Sequence, residues 1–146
     1  MRYYLSLGAN IGDREITIQR ALTQIEQLIG HVLRCSSFYY SEPWGFDSPN
    51  KFCNLCCEVE SNLPPLDFLA ATQAIERALG RTKKSVKHQY ADRLIDIDII
   101  RAFDDNGKEI KCQITNGKSQ ILTIPHLLWQ QRDFVRIPLS EILNLA

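Results

Sequence analysis

The sequence predicts an α+β domain built as a split βαβ sandwich: a four-stranded antiparallel sheet, both helices on one face, and a C-terminal extension. Three observations predict it. Stretches with two-residue alternation and stretches with helical spacing follow in the order strand, helix, strand, strand, helix, strand. Glycine or proline punctuates most junctions. The chain has 146 residues, 45% of them hydrophobic, which suits one core and a single domain over residues 1–146.

Tyr3 to Leu7 alternates and is rich in strand formers. Gly8 to Gly12 reads as a tight loop, or as a loop of a site. Asp13 is placed to cap a helix on which Ile18, Leu22, Ile25 and Ile29 recur at helical spacing, and Gly30 ends it. Val32 to Ser41 reads as the second strand. Pro43, Gly45 and Pro49 mark a loop over residues 42–51, and Phe52 to Ser61 forms the third strand. Pro64 or Pro65 opens a second helix with a stripe of Phe68, Ala71, Ile75 and Leu79, closed by Gly80. A polar loop then runs to Asp92, and Leu94 to Phe103 is the fourth strand. Asp104-Asp105-Asn106-Gly107 predicts a hairpin turn. A short strand near Ile121 to Ile124 and one short helix complete the extension.

Composition narrows the classes of function. Lys plus Arg equals Asp plus Glu, at 17 each, which argues against a nucleic-acid partner. No apolar run approaches the ~20 residues of a membrane span, and MRYYLSLGANIG does not read as a signal peptide. The expectation is a cytoplasmic monomer. Five cysteines, an odd number, fit reduced thiols. On a strand, Cys53 and Cys57 face one way and Cys56 the other, so they cannot converge on one metal and read as core.

Chemistry concentrates in Arg93-Leu94-Ile95-Asp96-Ile97-Asp98-Ile99. Alternation puts Asp96 and Asp98 on one strand face and the isoleucines on the other. Two adjacent carboxylates repel unless a cation sits between them, and such a pair with open positions suits magnesium carrying substrate phosphates. An ordinary solvated sheet face is the competing reading. The preceding stretch, residues 81–93, carries Arg81, Lys83, Lys84, Lys87 and Arg93 against Asp92 alone. Cations beside a magnesium site suit a triphosphate. No Gly-x-x-x-x-Gly-Lys-Ser or Gly-x-x-x-x-Gly-Lys-Thr phosphate loop is present. Phe52 and Asn54 share a face of the third strand, so an aromatic can stack on a flat polar ring while an amide reads its edge. Trp44 and Phe46 lie just upstream. Pro125-His126 and Arg132-Asp133-Phe134 add a histidine, a cation and an aromatic. The competitors are an RNA-binding or regulatory βαβ module, and a phosphotransferase with another acceptor. Asp96, Asp98, Glu58 and Glu60 on one face disfavour RNA.

These motifs, in order, resemble the 6-hydroxymethyl-7,8-dihydropterin pyrophosphokinases of folate biosynthesis. The resemblance rests on Leu7-Gly8-Ala9-Asn10-Ile11-Gly12, Ser36-Ser37-Phe38-Tyr39, Phe52-x-Asn54, Ile75-Glu76, Gly80-Arg81, Arg93-x-x-Asp96-Ile97-Asp98, Pro125-His126 and Arg132-x-Phe134. It implies a ferredoxin-like core and transfer of pyrophosphate from ATP to the pterin's hydroxymethyl group, leaving AMP. It further implies two Mg²⁺ ions on Asp96 and Asp98, with Arg81 and Arg93 steadying the phosphates and the transition state. Glu76, Ile99 and His126 would line the ATP site, with Lys83 and Arg132 as further cations there. Asn54 would hydrogen-bond the pterin, Phe52 and Phe134 would sandwich it, and the backbone of Ser41, Glu42 and Trp44 would read its edges.

Overall fold

The computed structural model describes residues 1–42, 51–80, 94–116 and 119–143. Strand β1 (Arg2–Ala9) leads to helix α1 (Arg14–Leu28), then β2 (His31–Cys35), β3 (Tyr39–Ser41) and β4 (Phe52–Glu60). Helix α2 (Pro65–Ala78) precedes β5 (Asp96–Phe103). A hairpin of β6 (Cys112–Asn116) and β7 (Ser119–Ile124), a 3₁₀ turn at Trp129–Gln131 and helix α3 (Asp133–Ile142) complete the described elements. The main sheet runs β2-β4-β1-β5, with every pairing antiparallel and β3 also paired to β4. The architecture is therefore mixed α+β around an antiparallel sheet. None of the helices among the described residues is long and apolar enough to cross a membrane.

Alternation along the central strands builds two different faces. Tyr3, Leu5, Leu7 and Ala9 of β1 join Cys53, Leu55, Cys57 and Val59 of β4 beneath Ile18, Ala21 and Ile25 of α1 and Phe68 and Ile75 of α2. Phe68 stacks on Tyr3 with ring centroids 3.8 Å apart, a contact worth about 0.5–1.5 kcal/mol beyond the area it buries. The opposite face carries Tyr4, Cys56 and Ile100, covered by Trp129, Val135, Leu139 and Ile142. The cysteines thus face as the alternation predicts, and all three are buried.

Local details depart from the sequence reading. The second predicted strand is two: Ser36 interrupts it, its hydroxyl accepting the Cys56 N–H at 2.9 Å. Gly8 is not in the loop but inside β1. Asp13 occupies the cap position of α1 without a side-chain capping bond; its carbonyl accepts the Thr17 N–H at 2.9 Å instead. Gly30 is there for space, because a Cβ would meet the Glu60 carbonyl oxygen at 2.1 Å. The turn after β5 forms around Asp104, whose side chain accepts the N–H groups of Asn106 and Lys108, with Gly107 at φ +82°. Strand β5 begins at Asp96, not Leu94, and β6 has no counterpart among the predicted strands.

Candidate active site

The register of β4, β1 and β5 sets out the second face in rows. Asn54, Gly8 and Asp96 are neighbours across β4, β1 and β5; Cys56, Ser6 and Asp98 form the next row. Helix α3 covers the lower rows through its contacts with Tyr4, Cys56 and Ile100. Asp96 and Asp98 are both half-buried, as alternation predicts for side chains on a partly open face. They stand ~7 Å apart along the strand, twice the rise per residue.

Asn54 is buried, and its Nδ2 donates to Ser41 Oγ at 3.2 Å. The pairing of Ser41 with Phe52 and of Tyr39 with Asn54 brings β3 against the same patch. Glu42, the next residue, is exposed and pairs with Lys51 at 3.6 Å. The expected readers of a flat ring, Ser41, Phe52 and Asn54, therefore converge, one strand away from the carboxylates.

A second recess lies against β5. A cleft of about 460 Å³ is lined by Ile97, Asp98 and Ile99, by Leu69 of α2, and by Leu122, Thr123, His126 and Arg132 among others. Among the described residues, no strand of the main sheet pairs with the far edge of β5. The Glu76 carboxylate, buried on α2, accepts the Ile97 N–H there at 2.8 Å, and His126 donates its own N–H to the Ile100 carbonyl at 2.8 Å. His126 Nδ1 accepts the Leu128 N–H at 3.2 Å, which leaves Nε2 as the protonated nitrogen of the neutral ring. Burial pushes the His126 pKa down, Arg132 pushes it further, and Asp96 opposes both. The ring is thus neutral near pH 7 and presents an N–H donor. Arg132 is buried, with its guanidinium 5.8 Å from the Phe134 ring centroid.

The structure thus brings Asp96, Asp98, Glu76, Ile99, His126 and Arg132 around β5, and Ser41, Phe52 and Asn54 around the start of β4. Phe134, at the start of α3, packs on the edge of the α3 cluster. Trp44, Arg81, Lys83 and Arg93 lie outside the described residues. Ser6, Gly8, Leu69 and Thr123 also line these recesses. Their types carry no chemical signal in a sequence, and only the register and the cleft single them out. Among the described residues no group of three or more His, Cys, Asp and Glu forms a metal cage. Two carboxylates with the other positions open is the donor set of a cation that keeps water and binds substrate oxygens, which fits magnesium better than zinc.

An open sheet face with paired carboxylates, beside a cleft holding a neutral histidine and a buried arginine, defines the class: a small α+β phosphotransferase. A family model described as 7,8-dihydro-6-hydroxymethylpterin-pyrophosphokinase (HPPK) matches residues 4–144. The 2-amino-4-hydroxy-6-hydroxymethyldihydropteridine pyrophosphokinase of Porphyromonas gingivalis is 45% identical over 139 residues, 95% of this chain and 88% of that protein. The folic acid synthesis protein fol1 of Schizosaccharomyces pombe is 39% identical over 140 residues, 95% of this chain but 17% of that much longer one. An HPPK-DHPS crystallised with substrates has a similar fold, with a TM-score of 0.69 over 97% of this chain and 40% of that chain at 15% identity. The chain belongs to the HPPK family, and is a pyrophosphokinase of folate biosynthesis.

Proposed function

We propose that the protein moves the terminal pyrophosphate of ATP onto the hydroxymethyl oxygen of 6-hydroxymethyl-7,8-dihydropterin, releasing AMP, on the open half of the α3-side face. The observation that carries this reading is the row Asn54, Gly8, Asp96: one ring reader on β4 and one metal-type carboxylate on β5 flank Gly8 of β1 on one surface. The β5 cleft is the place for the nucleotide, and the β3–β4 patch is the place for the pterin.

In the reaction the alcohol attacks the β-phosphorus in line, the bond from that phosphorus to the AMP oxygen breaks, and the alcohol proton is lost to solvent. Asp96 and Asp98 would hold two Mg²⁺ ions, which when bound would neutralise the phosphate oxygens and align them. Asn54, with one donor and one acceptor, fixes the ring in its plane. Phe52 and Phe134 contribute ring faces, and Ser41, Glu42 and Trp44 contribute backbone groups. His126 and Arg132 donate to the nucleotide, Glu76 and Ile99 line its site, and Arg81, Lys83 and Arg93 supply positive charge for the phosphates. The core is ferredoxin-like in this reading: with β2 and β3 counted as one strand, the sheet has four strands, flanked by α1 and α2 on one face. The working form is a cytoplasmic monomer, so sedimentation should give one species near 16.8 kDa.

The decisive assay mixes protein, ATP and magnesium with or without the reduced hydroxymethylpterin. AMP formed only with the pterin, and matched by pterin diphosphate, is expected. ADP in its place would mean single phosphoryl transfer and would overturn the reading.

A further inference from the structure

Gly8 is the residue of β1 that neighbours both halves of the site: it pairs with Asn54 on one side and Asp96 on the other. Its backbone does not call for glycine, since positive φ among the described glycines occurs at Gly12, Gly80 and Gly107. What calls for glycine is space. A Cβ at position 8 would stand 2.6 Å from Asn54 Oδ1 and 3.8 Å from Phe52 Cδ1. The amide oxygen of Asn54 therefore lies over the bare backbone of Gly8, while its Nδ2 donates to Ser41. These two constraints together choose one orientation of a buried amide whose two ends differ in sign.

We propose that Gly8 is a positioning residue for the pterin: by withholding a Cβ it seats the Asn54 amide in the orientation that reads the ring. The proposal rests on the reading that Asn54 binds the pterin. An alanine at position 8 cannot share that space, and the soft element is the Asn54 side chain rather than the strand. The amide turns, the Ser41 bond breaks, and donor and acceptor no longer match the ring edge. The strand itself keeps its pairing, because alanine is compatible with extended backbone.

The test is Gly8→Ala, first without ligand. In ¹⁵N-labelled protein the Asn54 side-chain amide signals should move, while the amides of α1 and α2 stay in place. Affinity for 6-hydroxymethyl-7,8-dihydropterin, measured by calorimetry with magnesium and α,β-methylene-ATP present, should fall at least about tenfold. Affinity for α,β-methylene-ATP alone should stay within about twofold, because the β5 cleft is untouched. In an Asn54→Ala background the same Gly8→Ala change should cost less than about twofold, as expected for two residues acting as a unit. Unmoved Asn54 signals, an unchanged pterin affinity, or an equal cost in both backgrounds would overturn the proposal. Failure of the wild-type protein to bind the pterin would instead sink the reading of Asn54, and this proposal with it.

Discussion

Glu58 is a carboxylate with 3% exposure in the lower part of the α3-side face, and replacing it gives a sharp test of how that face is held. The Tyr4 hydroxyl donates to it, and Arg34 bonds both of its oxygens, at 3.2 Å and 3.4 Å. Arg2 stands 3.9 Å away. Glu58→Ala removes a charge-assisted hydrogen bond and leaves the Tyr4 hydroxyl without that acceptor, a loss of about 2–3 kcal/mol. Both arginines are about half exposed, so water screens their share to a minor addition. Unfolding entropy of about 2.1 cal/mol/K per residue over 146 residues converts this loss to a fall in Tm of about 7–10 °C. Glu58→Gln keeps an acceptor for Tyr4 and should lose about half as much.

The pH dependence adds a second arm. Burial alone would raise the Glu58 pKa, but the Tyr4 bond and the Arg34 contacts outweigh it and hold it below the ordinary carboxylate value. Tyr4, buried and bonded to Glu58, is pushed up to about 12 and remains a donor at neutral pH. A carboxylate depressed on folding stabilises the protein above its unfolded pKa, and that stability is lost as pH falls through the folded value. The gap in Tm between wild type and Glu58→Gln, read by circular dichroism, should be flat from pH 8 to 6. It should narrow only below the ordinary carboxylate range, near about 4.3. A gap within about 1 °C at pH 7, or one that closes between pH 8 and 6, would refute the account of this network.

Three further outcomes follow from the same geometry. Asp98→Ala should lower turnover by about 10³-fold or more, the equivalent of about 4 kcal/mol of lost charge stabilisation, while a half-exposed position leaves the melting curve near wild type; near-normal turnover in folded protein would remove Asp98 from the proposed metal site. Phe68→Ala, at a fully buried ring stacked on Tyr3, should cost about 3–5 kcal/mol in a urea titration with little change in slope. His126 should titrate below the ordinary histidine value of about 6.5, and Asp96→Asn should lower it further by removing the opposing charge; an NMR midpoint at or above the ordinary value would contradict the burial seen here.

The strands and helices were readable because their signals are local. Alternation at Tyr3 to Leu7, helical spacing at Ile18 to Ile25, and the aspartates in an isoleucine strand each need only a few neighbouring residues. What escaped the reading depends on partners far away in the chain. Ser36 breaks the second strand because its hydroxyl takes the N–H of Cys56, twenty residues on. Gly8 looked like turn chemistry, and its real constraint is an amide oxygen on β4. Thr123 and Leu69 carry no motif and enter the cleft only because α2 and β7 both border it beside β5.

Strand β5 changes phase where the open part of the face meets the part packed under α3. Asp96 and Asp98 point to the α3-side face, and Ile97 and Ile99 to the α1–α2 core. Strict alternation would next send Ile100 to the open face and Arg101 into the apolar layer. Ile100 follows that pattern but Arg101 does not, because the register slips: Leu5 pairs with Ile99 and Tyr4 with Arg101, so Ile100 is an extra residue on β5. Ile100 joins the α3 cluster, and Arg101 bonds Glu109 at 2.8 Å and lies over the rings of Phe103 and Trp129. Alternation thus puts two carboxylates and an apolar anchor for α3 on one face, and the bulge adds a paired arginine to it. Helix α3 seats on Ile100, while Asp96 and Asp98 lie outside its apolar cluster. Deleting Ile100 would restore strict alternation, with Arg101 still on the α3-side face and Ala102 still in the core, but it would strip α3 of its anchor at the boundary between the packed and the open part of the face.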